Sequence, residues 1–389
     1  MARVALYSGK YRPACRIIQI GGVGNVSPAR ARRIVLDEVM IGILLHLTVG
    51  HAPRPSCQEI VGCQAQMTRL KRGMNFQLPS PAQPLKIGTR GSPLALAQAY
   101  ETRGRLMTAF DLPEDAFVVV VIKVTGDMIQ DRPLKDIGGK GLFTREIEED
   151  LLAGKIDIAV HSMKDMPTIQ PDGLLLDTYL PREDVRDAFI SPTMGSITEL
   201  AEGAVVGTSS LRRRAQLLNR RPDLNVVEFR GNVQTRLKKL DDGVAECTFL
   251  ASAGLKRLGR SDVPATPVDP ADMLPAVAQG AIGIERRADD TRMKQILDAI
   301  HDTPTGQRLA AERAFLQALD GSCETPIAGL AVLDGDQLHL RGEVLRPDGS
   351  QSIIGERNGP IADGPKMGID LAQELLERAG EGFFDWHTH

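Results

Sequence analysis

One cysteine in this chain has a setting that suggests chemistry. Cys323 lies in the segment Gly321-Ser322-Cys323-Glu324, directly after a helical pattern, and none of the five cysteines forms a CxxC pair. Gly, Ser and the nearby Pro326 are typical of a turn rather than of a core strand. A thiol on such a turn could be a nucleophile or a covalent attachment point, whereas an arbitrary cysteine is more often a small buried hydrophobe.

A carboxylate follows a predicted buried strand in the first half of the chain. Asp165 comes after the apolar run 156–160, with Lys164 beside it and His161 four residues before it. A carboxylate among cationic groups stays ionised at neutral pH. Such a group could stabilise a cation or move a proton. The turn Asp165-Met166-Pro167 equally suits a helix N-cap, so the spacing leaves both interpretations open.

Arginines recur where predicted strands of the second half end. Arg212 and Arg213 follow the Thr-Ser-Ser segment 208–210, Arg230 ends a strand, and Arg236 lies one turn into the next helix. Ligands of parallel α/β sheets bind outside the carboxyl ends of the strands. Helix N-termini favour anions there, and the planar guanidinium fits carboxylates. We therefore predict a surface that binds a polyanion. We interpret the other basic residues as solvated: Arg214, Arg220, Arg221 and Lys239.

A similar turn occurs near residue 90. Thr89-Arg90-Gly91-Ser92 separates a predicted strand from a predicted helix, so Arg90 and Ser92 could also face an anion. The polar segment 125–141 is long enough to be a functional or mobile loop. Its Gly-rich part, 138–141, lacks the spacing of a phosphate-binding P-loop, and we infer no nucleotide.

Composition limits the classes of function. The chain has 389 residues, a net charge of −3 and 4% aromatic residues. This length predicts two or three domains, and the charge confines any anion site to a local patch. The scarcity of aromatic residues argues against base stacking. The odd number of cysteines argues against a disulfide scaffold and for a reducing compartment. Cys57 and Cys63 lack the partners of a zinc site, and we predict no metal.

Residues 1–84 differ in composition from the rest. Arg and Lys far outnumber Asp and Glu there, as they do in organelle transit peptides. However, Gly21-Gly22-Val23-Gly24 would interrupt an amphipathic helix, and Ser is not enriched. We therefore expect a poorly ordered extension, with Met74 as an alternative start, and a cytoplasmic protein, with organelle targeting as the alternative. The longest apolar stretch, 34–49, contains acidic residues and is too short to span a membrane.

Strands and helices alternate along the rest of the chain. This alternation predicts mainly parallel α/β sheets in two units, with residues 273–285 returning to the first unit. After residue 302, a helix and hairpin signals at Asp334-Gly335 and Asp348-Gly349 predict a small α+β unit. The predicted divisions are an extension (1–84), an α/β domain 1 (85–184 plus 279–300), an Arg-rich α/β domain 2 (185–278) and an α+β domain 3 (301–389).

Taken together, these segments resemble the porphobilinogen deaminase (hydroxymethylbilane synthase) family. They occur in the order of that family and cover nearly all of residues 85–389, whereas residues 1–84 lie outside the resemblance. Several are long and unusual, which makes the resemblance specific. They include KIGTRGSPLALAQA (86–99), DIAVHSMKDMP (157–167), REDVRDAF (182–189), VGTSSLRRRAQL (206–217), FRGNVQTRLKKL (229–240) and ERAFLQALDGSCETPIAG (312–329).

The resemblance implies an architecture and a reaction. It implies two α/β domains like those of class II periplasmic binding proteins, with the active site between them, and a small α+β third domain. A dipyrromethane cofactor would be joined by a thioether to Cys323 of that third domain. The implied enzyme is a transferase that joins four porphobilinogen molecules head to tail on this primer. It would release ammonia at each addition and free hydroxymethylbilane for haem and chlorophyll biosynthesis.

The resemblance also implies residue roles. Asp165 would be catalytic, stabilising the cationic azafulvene that loss of ammonia leaves and helping to move protons. Lys140 and Phe143 match a mobile loop over the site. Substrate contacts would come from Arg90, Ser92 and Arg257. Cofactor contacts would come from Lys164, Thr208, Ser209, Ser210, Arg212, Arg213, Arg230 and Arg236.

Two places depart from the family pattern. Asp136 stands where many relatives have a basic residue, which could change the electrostatics of the loop. Residues 246–249, with the sequence Glu-Cys-Thr-Phe, are more polar than the apolar strand expected there. We therefore expect altered packing in the second α/β unit.

The residues alone leave two other functions open. A non-catalytic carboxylate-binding protein would need the arginines but neither Cys323 nor Asp165. A nucleic-acid binder could use the basic residues of 212–257. The net charge and the low aromatic content argue against it, and so does the dispersal of the basic residues over strand ends. We expect a monomer, because no exposed heptad or large apolar stripe demands a partner. We further expect the protein to act on a small molecule and to bind neither nucleic acid nor membrane.

Overall fold

The computed structural model describes residues 76–125, 144–319 and 325–383. Cys323, Lys140, Phe143 and Asp136 lie outside these residues, as does most of the predicted extension. The chain from Phe76 onward forms one compact unit. Within the ranges described, no helix combines the length and apolar character needed to cross a membrane.

Among the described residues, the first strand or helix begins at Leu85, as predicted. Of the residues before it, Gln77 accepts a hydrogen bond at its carbonyl from Arg292 Nε (2.7 Å). In chain order the strands and α-helices are β1 (Leu85–Arg90), α1 (Pro93–Phe110), β2 (Phe117–Ile122), α2 (Arg145–Leu152), β3 (Ile158–Ser162), β4 (Leu174–Tyr179), β5 (Asp187–Ile190), β6 (Val205–Gly207), α3 (Leu211–Arg220), β7 (Asn225–Val227), α4 (Val233–Asp241), β8 (Cys247–Ala251), α5 (Ser252–Arg257), β9 (Ala265–Pro267), β10 (Ile282–Arg287), α6 (Thr291–Asp298), α7 (Thr303–Ala318), β11 (Ile327–Asp334), β12 (Gln337–Leu345), β13 (Ser352–Pro360) and α8 (Gly364–Ala379).

Two five-stranded sheets share one design. The first has the order β2-β1-β3-β10-β4 and the second the order β7-β6-β8-β5-β9. In the first sheet β1 is parallel to β2 and β3, but β10 is antiparallel to β3 and β4. In the second, β6 is parallel to β7 and β8, but β5 is antiparallel to β8 and β9. The α/β class is confirmed. In each sheet four of the five strands run in one direction, as the prediction of mainly parallel sheets implies, but one strand, β10 or β5, runs against them, so both sheets are mixed.

The mixed direction has a simple cause. β5 enters the second sheet from residues 180–186, which leave the first sheet, and β10 enters the first sheet from residues 268–281, which return from the second. Each crossing strand therefore starts at the edge where the parallel strands end, and it must run against them. The predicted return to the first unit is confirmed by β10.

The two segments that connect the sheets lie against each other. We call residues 180–186 the first crossing segment and residues 268–281 the second. Glu183 N–H donates to the Gly280 carbonyl (3.2 Å). Gly280 has a φ of +85°, and a Cβ there would lie 2.5 Å from the Glu183 carbonyl oxygen. Only glycine fits both the conformation and the space. This contact fixes the two connections side by side.

The third sheet is an antiparallel meander, β11-β12-β13, packed against α7 and α8. Its two turns contain the predicted Asp334-Gly335 and Asp348-Gly349 signals, and the small α+β unit is confirmed. Phe315 of α7 and Leu371 of α8 are fully buried in its core. Met163, Met166 and Ala281 belong to the same core, which therefore reaches the end of β3.

The second α/β sheet accommodates its unusually polar strand. Cys247, Thr248 and Phe249 of β8 are all buried. Thr248 Oγ1 donates to the Gly207 carbonyl (2.7 Å), so its hydroxyl is satisfied within the sheet. Burial raises the pKa of the Cys247 thiol to about 12, which makes it a packing residue rather than a nucleophile.

Glu312 on α7 joins the crossing segments to the third sheet. Its carboxylate accepts from Arg182 Nη1 (2.6 Å) and Nη2 (3.0 Å) and from the N–H groups of Ala278 (2.7 Å) and Ala331 (2.8 Å). Ala278 has a φ of 60°, which is rare for a residue other than glycine. The bond to Glu312 helps to hold it there. One buried carboxylate thus fixes three parts of the chain.

Glu312→Gln should reduce the free energy of unfolding by about 3 kcal/mol, because the buried Arg182 guanidinium would lose its counter-charge. Both side chains of this pair are nearly inaccessible to solvent. The matched control is Lys294→Gln, which breaks an exposed pair with Asp298 and should cost less than about 0.5 kcal/mol. Urea unfolding followed by circular dichroism measures both. Equal midpoints for the two variants would show that the Glu312 pair is not structural.

Candidate active site

Side chains from the ends of both α/β sheets meet in one cluster. Lys164 and Asp165 follow β3 of the first sheet, whereas Arg213 and Arg236 lie on α3 and α4 of the second. The ammonium of Lys164 is within electrostatic range of Asp165, Arg213, Arg236 and Asp187. We call the cluster of Lys164, Asp165, Arg213 and Arg236 the basic crevice. Residues that follow strands of both sheets therefore share one electrostatic environment.

The turn that carries Asp165 is fixed by apolar residues on both sides. Asp165 ends a short 3₁₀ turn after β3, and Met163 and Met166 on either side are buried. Met163 N–H donates to the Ala281 carbonyl (3.1 Å). With both methionines in the core, Lys164 and Asp165 are exposed. No helix begins at Asp165, so the interpretation of this residue as a helix N-cap is wrong.

Lys164 has a perturbed ammonium group. Much of the side chain is exposed, yet the surrounding protein removes water from the ammonium, and this desolvation lowers its pKa. The charges of Arg213 and Arg236 act in the same direction, whereas Asp165 and Asp187 oppose it. An anionic ligand would stabilise the charged form and raise the pKa again.

Arg236 is a second desolvated cation. Burial lowers its pKa to about 10, and the charge of Arg213 adds to the effect, while Glu228 and Asp165 oppose it. Its Nε donates to the Gly231 carbonyl (2.9 Å), which fixes one edge of the guanidinium. The group stays charged at neutral pH. A charge with so little water around it is stabilised by an anion.

Asp187, the first residue of β5, is fully buried between two arginines. Arg213 donates to its Oδ1 from Nε (3.1 Å) and Nη2 (2.7 Å), and Arg212 Nη2 lies 2.8 Å from Oδ2. Gln279 Nε2 also donates to Oδ1 (3.0 Å). Burial alone would raise the pKa of Asp187, but the two guanidinium charges outweigh it and hold the pKa well below its usual range. One negative charge thus lies between two positive charges and offsets them only in part.

Arg212 and Arg213 are more deeply buried than a binding surface at strand ends would suggest, with 5% and 4% of their surfaces exposed. Arg213 Nη1 donates to the Phe249 carbonyl (2.7 Å), and Arg212 Nη1 donates to the Leu274 carbonyl (2.9 Å). Both arginines therefore help to hold the second sheet together. Their contacts with a cofactor stay a prediction.

The predicted hydroxyl ligands all accept backbone hydrogen bonds. Ser92 and Ser210 are the N-caps of α1 and α3. A hydroxyl that accepts in this way still has an O–H to donate, which suits a carboxylate ligand. The bonds are Ala95 N–H to Ser92 (3.3 Å), Ser210 N–H to Thr208 (3.2 Å), Phe229 N–H to Ser209 (3.0 Å) and Arg213 N–H to Ser210 (3.4 Å).

Three further arginines were predicted to bind ligands. Arg90 ends β1, and Arg230 follows β7 with its Nε 3.8 Å from Glu228 Oε1. Arg257 is the last residue of α5 and contacts α1 and the second crossing segment. It donates from Nε to Glu101 (3.2 Å) and from Nη2 to the Gly280 carbonyl (3.1 Å). A substrate contact for Arg257 stays a prediction.

The sequence analysis missed Asp187 and Gln279. The available signal was the stretch REDVRDAF, in which a carboxylate directly precedes an apolar run. A carboxylate at the start of a buried strand needs a buried counter-charge, and the arginines after residues 208–210 were candidates. Sequence spacing alone did not connect the two.

The basic crevice fits the cofactor that the family resemblance implied. A dipyrromethane bears acetate and propionate groups, which match the desolvated cations Lys164 and Arg236. Its pyrrole N–H groups match the exposed carboxylate of Asp165. Among the described residues, no group of His, Cys, Asp and Glu is arranged to hold a metal ion.

Two family models match the chain. The model described as "Porphobilinogen deaminase, dipyromethane cofactor binding domain" matches residues 85–295. A second model, "Porphobilinogen deaminase, C-terminal domain", matches residues 307–377. The first model includes all of the described residues of the basic crevice.

Curated relatives agree with the family models. Porphobilinogen deaminase of Paracoccus denitrificans is 69% identical over 310 residues, which cover 80% of this chain and 99% of the relative. Porphobilinogen deaminase of Nitrobacter hamburgensis is 56% identical over 298 residues, covering 77% of this chain and 94% of the relative.

Solved structures similar to the chain include two periplasmic proteins. The periplasmic VFT2 domain of Bordetella pertussis BvgS has a TM-score of 0.35 and 13% identity, covering 64% of this chain and 97% of that one. A periplasmic substrate-binding protein of an ABC transporter from Coxiella burnetii has a TM-score of 0.34 and 14% identity, covering 59% of this chain and 96% of that one.

Since one family model spans more than half of the chain and relatives match it over nearly their whole length, this chain belongs to the porphobilinogen deaminase family.

Proposed function

We propose that Asp165 is the catalytic carboxylate of this chain and that the basic crevice holds the growing product in front of it. As a member of its family, the chain is a transferase that condenses four porphobilinogen molecules head to tail on a dipyrromethane cofactor. It releases ammonia at each addition and yields hydroxymethylbilane for tetrapyrrole biosynthesis. The observation that carries the proposal is the exposed carboxylate of Asp165 within electrostatic range of the cations Lys164 and Arg236.

Family membership decides against a non-catalytic carboxylate-binding protein. Such a protein would need the arginines to bind its ligand, but it would need no exposed carboxylate among them. Here Asp165 stands among the cations, and its turn is held by two buried methionines. That arrangement suits a reaction at a developing positive charge.

The cofactor, when bound, supplies a terminal pyrrole whose free α-carbon is the nucleophile for each addition. We assign its thioether to Cys323 and the cover of the site to Lys140 and Phe143, all outside the described residues. Substrate contacts are assigned to Arg90, Ser92 and Arg257. Cofactor contacts are assigned to Lys164, Thr208, Ser209, Ser210, Arg212, Arg213, Arg230 and Arg236.

The cations of the site offset a charge that grows during the reaction. Each porphobilinogen carries an acetate and a propionate, so the bound chain gains negative charge at every step. Arg236 and Arg213 provide fixed positive charge on the second sheet, and Lys164 provides it on the first. Because Asp187 offsets only part of the charge of Arg212 and Arg213, the site stays positive.

Asp165 acts on positive charge, whereas the cations of the site act on the negative charge of the bound chain. Loss of ammonia from porphobilinogen leaves a cation that is spread over the pyrrole ring and its methylene group. A carboxylate that accepts hydrogen bonds from pyrrole N–H groups stabilises this cation. The same group can take up and return the protons that move when the new carbon–carbon bond forms.

We also propose the wider setting of the enzyme. The three sheets support domains with the bounds 85–184 plus 279–300, 185–278 and 301–389. Porphobilinogen, a small molecule, is the partner on which the enzyme acts. We further propose a cytoplasmic monomer without nucleic-acid or membrane partners, on the basis of the modest net charge of −3 and the cysteine content.

Asp165→Asn should lower kcat by about 100- to 10,000-fold, because the amide can neither offset the cation nor accept a proton. Fold and cofactor content should stay unchanged, since Asp165 is exposed. Steady-state assays with porphobilinogen, circular dichroism and intact mass measure these three quantities. Asp172→Asn, an exposed acid in the following loop, is the control and should behave like the parent. A kcat for Asp165→Asn near that of the control would remove the catalytic role.

Cys323→Ser should give a protein without the mass of a covalent dipyrromethane. The thioether needs the thiolate, which is a far better nucleophile than a serine hydroxyl. Intact mass spectrometry of the purified protein compares the variant with the parent. Cys247→Ser is the matched control, because Cys247 is buried in β8, and it should keep the adduct. An adduct that survives in Cys323→Ser would place the attachment elsewhere.

The activity should fall on the alkaline side as Lys164 loses its proton. Its pKa is lowered, so the loss of positive charge, and with it the decline of kcat/KM, begins at a lower pH than for an ordinary lysine. In Lys164→Arg the guanidinium stays charged, and the alkaline limb should move to higher pH even if the maximum is lower. The pH profile of kcat/KM measures this shift. Identical alkaline limbs in both proteins would show that another group titrates there.

A further inference from the structure

Buried polar side chains lead from the arginines of the second sheet to the third sheet. Arg212 Nη1 donates to Gln216 Oε1 (3.0 Å), and Gln216 Nε2 donates to Glu343 Oε2 (2.6 Å). Ser352 Oγ donates to the other oxygen of Glu343 (2.7 Å). Gln216 is 0% and Glu343 1% exposed. Neither residue has a role in the proposed reaction.

Glu343 determines which way the Gln216 amide points. An ionised carboxylate can only accept hydrogen bonds, and Gln216 Nε2 donates both to it and to the Leu274 carbonyl (3.1 Å). A reversed amide would turn its oxygen toward two other acceptors and its NH₂ group toward the guanidinium. The orientation seen, with Oε1 toward Arg212, is therefore the one in which all partners are matched.

The Gln216 oxygen in turn fixes one side of the Arg212 guanidinium. Asp187 holds the other side through Nη2 at 2.8 Å. Arg212 Nε is buried and has no hydrogen-bond partner among the described residues. The plane of the guanidinium thus depends on contacts at its two Nη atoms, and one of these contacts is oriented by Glu343.

A second contact holds the same helix against the third sheet. Asn219 Nδ2, at the end of α3, donates to the Gly349 carbonyl in the turn between β12 and β13 (2.9 Å). Gly349 has a φ of +75°, and a Cβ there would lie 2.6 Å from Asn219 N. The turn therefore packs directly on the backbone of α3. The helix that carries Arg212 is fixed to the third sheet at two points.

We infer that Glu343 is a positioning residue, which orients Gln216 and through it the Arg212 guanidinium. This guanidinium binds carboxylates of the cofactor and of each porphobilinogen that joins it. This inference rests on the role proposed above for Arg212. It links the sheet next to the cofactor-attachment loop with an arginine of the second sheet. The link keeps this charge at a fixed place relative to the third sheet while the product lengthens.

The test compares KM and kcat of cofactor-loaded, full-length variants. Glu343→Leu removes the acceptor at similar volume, and KM for porphobilinogen should rise about tenfold while kcat stays within about twofold, because carboxylate binding weakens before and during reaction alike. Glu343→Gln keeps an acceptor toward Gln216, since the Ser352 hydroxyl can turn and accept from the new amide. Its KM should stay within about twofold of the parent. Glu356→Leu removes an exposed carboxylate of β13 and should change neither constant.

A double-mutant cycle tests the route through Gln216. Gln216→Met should raise KM as Glu343→Leu does, and the double variant should be no worse than either single variant. Additive effects would overturn the inference, because Glu343 would then act by another route. If Glu343→Leu does not fold, an unchanged KM in Gln216→Met, or a KM in Glu343→Gln as high as in Gln216→Met, overturns it equally.

Arg212→Lys separates this inference from the proposed function. A raised KM in Arg212→Lys with an unchanged KM in Glu343→Leu overturns the role of Glu343 and leaves that of Arg212 in place. An unchanged KM in Arg212→Lys overturns the role of Arg212 itself, and the inference fails with it. Intact mass must show the cofactor in every variant compared, so that a loss of cofactor is not read as a loss of binding.

Discussion

The arrangement of the arginines depends on Asp187. Two guanidinium groups at the start of one helix repel each other and are costly to bury. Their burial is stabilised by a carboxylate that both can reach and that stays ionised between them. Asp187 can occupy that place because β5 enters the second sheet against the direction of its neighbours. The mixed sheet is thus a condition for the positive charge of the site.

Buried carboxylates also fix the junctions between the three sheets. Asp187 meets Gln279 of the second crossing segment, Glu312 meets both crossing segments and β11, and Glu343 meets α3. Each accepts from donors of another part of the chain. Since removing one partner leaves the other buried and unsatisfied, these junctions resist small displacements. The reacting groups can therefore stay in place while the bound chain grows.

The reactive turn is built by the opposite means, through apolar packing. Met163 and Met166 lie in the core shared with α7 and the third sheet, and the two residues between them are exposed. Lys164 and Asp165 need no hydrogen-bond network of their own to be held outward. This leaves their charges for the ligand. The cations around Asp165 come from both α/β sheets, so the site exists only when the sheets face each other.

The sequence by itself determined the family, the α/β class, the hairpin turns and the strand-end positions of Lys164, Asp165 and the arginines. These depend on local patterns, such as apolar runs, caps and turn residues. It did not predict the one reversed strand in each sheet, left the N-cap interpretation of Asp165 open, and missed Asp187, Gln216 and Glu343. Asp187 is 26 residues from Arg213, and Gln216 is 127 residues from Glu343. Only the tertiary structure decided which distant charge each buried group meets, because burial makes a counter-charge necessary but does not say where in the chain it lies.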